Sequence, residues 1–184
     1  KIKNYLQIGN KLHVNHTYKN VGKIGYFKIE ILNALSPKYF DNKKKLVCLT
    51  SAISLIKLLT VESQENAKIF KLVDSFFDIL KSKNWIKDYI FWELELFKLV
   101  GYDLNINKIA NKEIVGYKTK YYVKSKNEKK FIPNFLIEAD SEDFDRNDLM
   151  SGLKLTGDYL EKSILRPNNI NYPTSRLDFI NILK

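Results

Sequence analysis

The segment from Trp85 to Val100 limits the fold more than any other part of the chain. Ile86, Tyr89, Ile90, Phe91, Trp92, Leu94, Leu96, Phe97, Leu99 and Val100 crowd into it. At 3.6 residues per turn they occupy most of a helix circumference. A helix that is apolar nearly all round must lie at the centre of a core, so the rest of the chain has to wrap it. Gly101 suits the left-handed position that closes such a helix. Glu93 shares a face with Ile86, Tyr89, Ile90, Phe97 and Val100. Its carboxylate is therefore expected to be half-buried and to need a partner. An ion pair or hydrogen bond that fixes helix packing is the expectation, not catalysis.

Helical periodicity continues on both sides. Leu49, Ala52, Ile53, Ile56 and Leu59 follow i, i+3, i+4, i+7 spacing. The polar stretch 62–66 separates them from Ile69, Leu72, Val73, Phe76 and Leu80. An acidic loop at 140–148 leads into a helix from about Asp148 to Leu165, and Pro173 fits the first turn of a last helix ending near Leu183. Alternating residues mark strands elsewhere. Leu12, Val14 and His16 share one face and Lys11, His13 and Asn15 the other. A second strand is expected from Gly25 to Leu32. These look like two or three strands of a small barrel, marginal alone. Residues 113–133 read as a small basic hairpin turning at Lys126-Asn127. Ser36-Pro37 and the run 42–45 separate a strand region, 1–40, from a helical region, 46–184. The fold class is α+β. The chain starts at Lys1, not Met, directly in a strand pattern, so further barrel strands are expected upstream.

Several kinds of chemistry find no support. No apolar run approaches the roughly 18 residues of a membrane span, so no membrane partner is expected. Cys48 is the only cysteine, which rules out a disulfide framework and a four-cysteine zinc site. His13 and His16, an odd number apart, fall on opposite strand faces and make a poor metal pair. The acidic loop lacks the central glycine and the spacing of a calcium loop. The seven glycines form no phosphate-binding motif. An enzyme is disfavoured and no cofactor is expected.

Charge carries the functional signal. The net charge is +10, and it is unevenly placed. Residues 1–45 hold ten lysines against Glu30 and Asp41, and residues 105–137 hold eight against Glu113 and Glu128. The intervening and final segments are mildly acidic. An AT-rich genome raises lysine content without any selection for binding, but it does not explain two blocks. Clustered lysines are the footprint of a polyanion partner. The candidate DNA-binding residues in the first block are Lys11, Lys19, Lys23, Lys28, Lys43, Lys44 and Lys45, with Tyr18 and Tyr26. In the second they are Lys118, Lys120, Lys124, Lys126, Lys129 and Lys130, around Tyr117, Tyr121 and Tyr122. Lysines neutralise phosphates without reading sequence, and exposed aromatics stack on unpaired bases.

Three stretches carry a family resemblance. Residues 91–104, FWELELFKLVGYDL, resemble the helix of RecO proteins that reads approximately ELxLLxxLGYxLDL. Residues 153–161, LKLTGDYLE, with Pro173 and Arg176-Leu177 beyond, are similar to the C-terminal end of alphaproteobacterial members. Leu6-Gln7-Ile8-Gly9-Asn10 resembles an LQPGN turn, with Ile8 where the family usually has proline. The resemblance implies an N-terminal OB barrel, of which Lys1–Leu32 would be the later strands, and then a helical domain. It also implies a cytoplasmic DNA repair protein of the RecF pathway, associated with the nucleoid during repair. Such a mediator binds single- and double-stranded DNA, anneals strands and helps load RecA. Its partners would be RecR and the acidic, apolar C-terminal tail of the single-strand-binding protein. The zinc site of some members has no counterpart expected here, because the neighbourhood of Asn105–Ala110 holds no cysteine; a hairpin core of Tyr117, Tyr121 and Tyr122 is expected to replace the metal by packing. The rival readings are a protein-interaction module whose charge is genomic bias, and an RNA-binding OB module.

Overall fold

The computed structural model describes residues 6–18, 25–62, 64–116, 118–125 and 128–184. Two antiparallel strands, β1 (Lys11–Thr17) and β2 (Tyr26–Asn33), come first. A short 3-10 turn at Ser36–Tyr39 leads into three helices, α1 (Lys43–Leu59), α2 (Ala67–Ile79) and α3 (Trp85–Leu99). The single-turn α4 (Ile106–Ile109) precedes a three-stranded antiparallel sheet of β3 (Asn111–Val115), β4 (Lys118–Ser125) and β5 (Glu128–Ile132), in that order. Helix α5 (Arg146–Tyr159) runs on through a π-helical segment, Leu160–Leu165, and α6 (Thr174–Leu183) closes the chain.

Helix α3 is the centre. Lys98 is the one exposed side chain along it. Helices α2 and α5 pack on it, and α1 lies along α6. Phe97 and Leu96 are fully buried, and Trp92 is nearly so; its indole N–H donates to the Leu72 carbonyl at 2.9 Å. Gly101 has φ +96° and ends the helix as expected, in a region that side chains with a Cβ rarely enter. The starts of α1, α2 and α5 are capped by side chains that accept otherwise orphaned N–H groups. Asn42 caps α1 through the Lys45 N–H, and Asn66 caps α2 through the Ile69 N–H. Asp145 and Asp148 form a reciprocal capping box on α5. The helix therefore begins at Arg146, two residues ahead of the expected start, and part of the acidic loop is cap.

The core face of α1 differs from the periodic reading. Cys48, Leu49, Ser51, Ala52 and Leu55 are buried, while Ile53, Ile56 and Leu59 are only partly so. Ser51 can enter the core because its hydroxyl bonds the buried Tyr89 hydroxyl at 3.1 Å.

Glu93 is buried completely rather than by half. Arg176 of α6 clamps it with two bonds, Nε to Oε1 at 2.9 Å and Nη2 to Oε2 at 2.8 Å. The Thr156 hydroxyl donates to Oε2 at 2.8 Å and accepts from Arg176 Nη2 at 2.9 Å. Tyr172 also meets Arg176 Nη1. A Cβ on Gly157 would lie 2.6 Å from Arg176 Nη1, so the Thr156-Gly157 pair makes room for the guanidinium. Burial alone would weaken the protonation of Arg176. The charge of Glu93 and its hydrogen bonds more than offset this and hold the guanidinium pKa above its usual value.

At the N-terminal end the described residues form a two-stranded hairpin and no closed barrel. Leu12 stands opposite Ile31, Val14 opposite Ile29 and His16 opposite Phe27. That face is the expected one, and most of it is open to solvent: Val14, Phe27 and Ile31 are all exposed. His13 pairs with Glu30 on the other face, so the two histidines diverge. The insertion expected as a hairpin has a third strand, β3, because Asn111–Val115 pairs along β4. The turn at Lys126-Asn127 and the side chain of Tyr117 lie outside the described residues.

Candidate nucleic-acid interface

Alternation along β4 builds a basic face. Successive residues point to opposite sides of a sheet, so Lys120, Tyr122 and Lys124 share one. The register adds Glu113 of β3 opposite Lys120, and Lys129 and Phe131 of β5 opposite Lys124 and Tyr122. Lys129 spans the sheet to Glu113 at 3.0 Å; this hydrogen bond raises the lysine pKa further. Its ammonium lies 4.6 Å from the Tyr122 ring centre, and that of Lys120 lies 5.8 Å from the Phe131 ring. Both are cation–π distances. Tyr122 is buried beneath this layer, and Tyr121 turns to the opposite side, its hydroxyl donating to Glu138 at 2.8 Å. Neither tyrosine is placed to stack on a base. Phe131, 60% exposed among lysines, is. It lay in the sequence as half of an ordinary strand pair; its position at an outward-facing, lysine-flanked site in the alternation was the available signal.

Around the edge of β5 lies a groove of about 630 Å³. Its floor combines Ile106, Ile109, Val123 and Ile132 with Leu155 and Tyr159 of α5. Lys124 and Lys130 line it from the sheet, Lys154 and Lys162 from the helical side, and Asp158 is the one acid among the described lining residues. All four lysines are exposed, and none forms an ion pair with a described residue. The groove therefore offers a low-polarity floor with a positive rim. Lys154 and Lys162 were absent from the sequence-derived set, since the acidic balance of residues 138–184 masks them.

The first basic block is less concentrated. Lys11 bonds Asp74 at 2.7 Å and lies 5.8 Å from the Phe70 ring centre. Lys28 is 3.2 Å from Glu30 on its own strand. Tyr18 and Tyr26 are exposed. Lys43, Lys44 and Lys45 occupy the first turn of α1, with no acidic residue there. Lys19, Lys23 and Lys126 lie outside the described residues, as does the side chain of Lys118. No group of three or more metal-ligating side chains gathers among the described residues.

A positive sheet face with an exposed ring thus lies beside a lysine-rimmed apolar groove. Residues 42–169 match the family model described as Recombination protein O C terminal. The chain belongs to the RecO family. It is similar to the DNA repair protein RecO of Wolbachia sp. subsp. Drosophila simulans (strain wRi), 26% identical over 92% of this chain and 78% of that protein. The RecO of Rickettsia canadensis (strain McKiel) is 37% identical over 47% of this chain and 36% of that protein. That of Rhodospirillum centenum is 21% identical over 95% of this chain and 75% of its own length. No solved structure matches the chain.

Proposed function

We propose that this chain is a recombination mediator in DNA repair. It binds single- and double-stranded DNA, anneals complementary strands and, with RecR, helps RecA load on DNA coated by single-strand-binding protein. The observation that carries this reading is the shared face of Lys120, Lys124 and Lys129 around the exposed Phe131. Lysines screen phosphates, and the ring receives an unpaired base. Annealing needs only screening and transient stacking, so no bond is made or broken and no enzyme chemistry is involved. The groove, apolar below and cationic at its rim, suits the acidic, apolar C-terminal tail of the single-strand-binding protein.

The N-terminal hairpin is read as the later strands of an OB-type barrel, domain 1–40. The exposed apolar side of Val14, Phe27 and Ile31 is the side that such a barrel covers. Residues 46–184 form the helical domain, with the basic insertion at about 113–133. The setting is the bacterial cytoplasm, at the nucleoid during repair.

Fluorescence anisotropy of a labelled oligothymidylate across a salt series tests the proposal. Log affinity should fall linearly with log salt, by about 0.7 per phosphate neutralised. A flat response contradicts it. Equal or tighter binding of the matching RNA strand favours an RNA-binding role instead.

A further inference from the structure

Two residues belong to both surfaces. Lys124 stands on the basic sheet face with Lys120 and Lys129, and it also lines the groove with Lys130, Lys154 and Lys162. Phe131 does the same: it faces outward beside Lys120, and it lines the groove wall. We propose that the two surfaces are antagonistic. An acidic peptide in the groove and a nucleic-acid strand on the sheet draw on the same Lys124 ammonium and the same Phe131 ring, so each ligand weakens the other. The inference rests on the reading of the two sites given above, and adds how they regulate one another.

The physical basis is simple. One ammonium carries one unit of charge, and it cannot neutralise a carboxylate and a phosphate in full at the same time. Two anionic ligands meeting at one residue also lie well within a Debye length, about 10 Å at 0.1 M salt, and repel. A single ring has one outward surface to cover. The linkage is reciprocal: whatever factor the peptide takes from DNA affinity, DNA takes from peptide affinity. A protein built this way exchanges one partner for the other. It is delivered by the peptide and lets go of it as the strand takes hold.

The test uses the whole chain and two probes. One is a labelled oligothymidylate. The other is a short peptide of consecutive aspartates ending in leucine and phenylalanine, with a free terminal carboxylate. Calorimetry first establishes peptide binding, and anisotropy then measures DNA affinity with and without saturating peptide. DNA affinity should drop about five-fold or more, with the same factor in the reverse titration. In Lys124→Gln both affinities should fall and the coupling factor should shrink toward one; Lys124→Arg should keep it. Lys124 is exposed, so neither change threatens folding. If both probes bind and neither affects the other, the antagonism is wrong while the two sites stand. Coupling of undiminished size in Lys124→Gln overturns the claim that the shared ammonium causes the antagonism. A peptide that does not bind at all removes the groove reading, and the antagonism with it.

Discussion

Glu93 and Arg176 hold opposite charges where both side chains are almost completely excluded from water. Taking either ion out of water alone costs several kcal/mol, and only close geometry with every remaining lone pair satisfied offsets that. Here the arginine reaches both carboxylate oxygens, the Leu153 carbonyl, the Thr156 hydroxyl and Tyr172. The network ties α3, α5 and α6 together. Arg176→Met should therefore cost about 3–5 kcal/mol, because it strands the Glu93 charge. Pairing it with Glu93→Leu should recover most of the loss, and urea denaturation of the single and double variants measures both. The sequence showed that Glu93 needed a partner, but not which one. Arg176 lies 83 positions away, and no local pattern links the two. Leu153, Thr156, Gly157 and Arg176, which belong to one family-like stretch of the sequence, are parts of one contact around Glu93.

Cys48 belongs to the same scale. It is fully buried on α1, and burial, with the nearby negative charge of Glu93, pushes its thiol pKa well above the ordinary value. An acid whose folded pKa is raised holds its proton longer in the native state than in the unfolded chain. Its contribution is whole below the unfolded pKa of about 8.5 and is lost as pH rises beyond it. Stability should thus decline above about pH 8.5, and Cys48→Ala should flatten that decline relative to its own value at pH 7. Thermal melts across an alkaline series read this directly. Tyr89, buried beside it and raised in the same direction by burial and by Glu93, should keep a residual slope at higher pH.

Among the elements, β4 contributes most to the proposed interface. Its alternation of lysine with tyrosine and valine needs only the two-residue period of a strand to place cations on one side and packing groups on the other. That much was legible beforehand. The third strand was less so. Asn111–Val115 is short and follows a one-turn helix, and Ile114 and Val115 are exposed, so no buried face advertised it. Which aromatic is free was also hidden. Three tyrosines drew attention, yet of the two described, Tyr122 is buried and Tyr121 is held by Glu138. Phe131→Ala should weaken single-stranded DNA binding by about 1–3 kcal/mol and leave the melting temperature nearly unchanged. Lys120→Ala should weaken binding evenly across sequences and reduce the salt slope by about 1. A sequence-selective loss in either variant would argue against the sheet face as a backbone-and-stacking surface.

For the whole molecule, the two basic blocks of the sequence are not equivalent. In the second block, strand pairing gathers Lys120, Lys124 and Lys129 on one face, and α5 with its π-helical extension adds Lys154 and Lys162 across the groove. In the first block, Lys11 is engaged by Asp74 and Lys28 by Glu30. Lys28→Ala should accordingly reduce DNA affinity less than Lys124→Ala does, in parallel anisotropy titrations at one salt concentration. The central helix and the general α+β plan were readable because they rest on period and apolarity, which are local. The groove was not, since its walls come from α4, the sheet and α5 and exist only once α3 has drawn them together.

The burial of Cys48 has a practical side. It is the only thiol in the chain, and it sits behind the packed faces of α1 and α3, out of reach of bulky maleimide reagents. A cysteine introduced on the surface, as in Lys112→Cys at the sheet edge, would be the sole place where a fluorophore could attach. Dye-labelled protein for single-molecule work could then be made without first deleting the native sulfur.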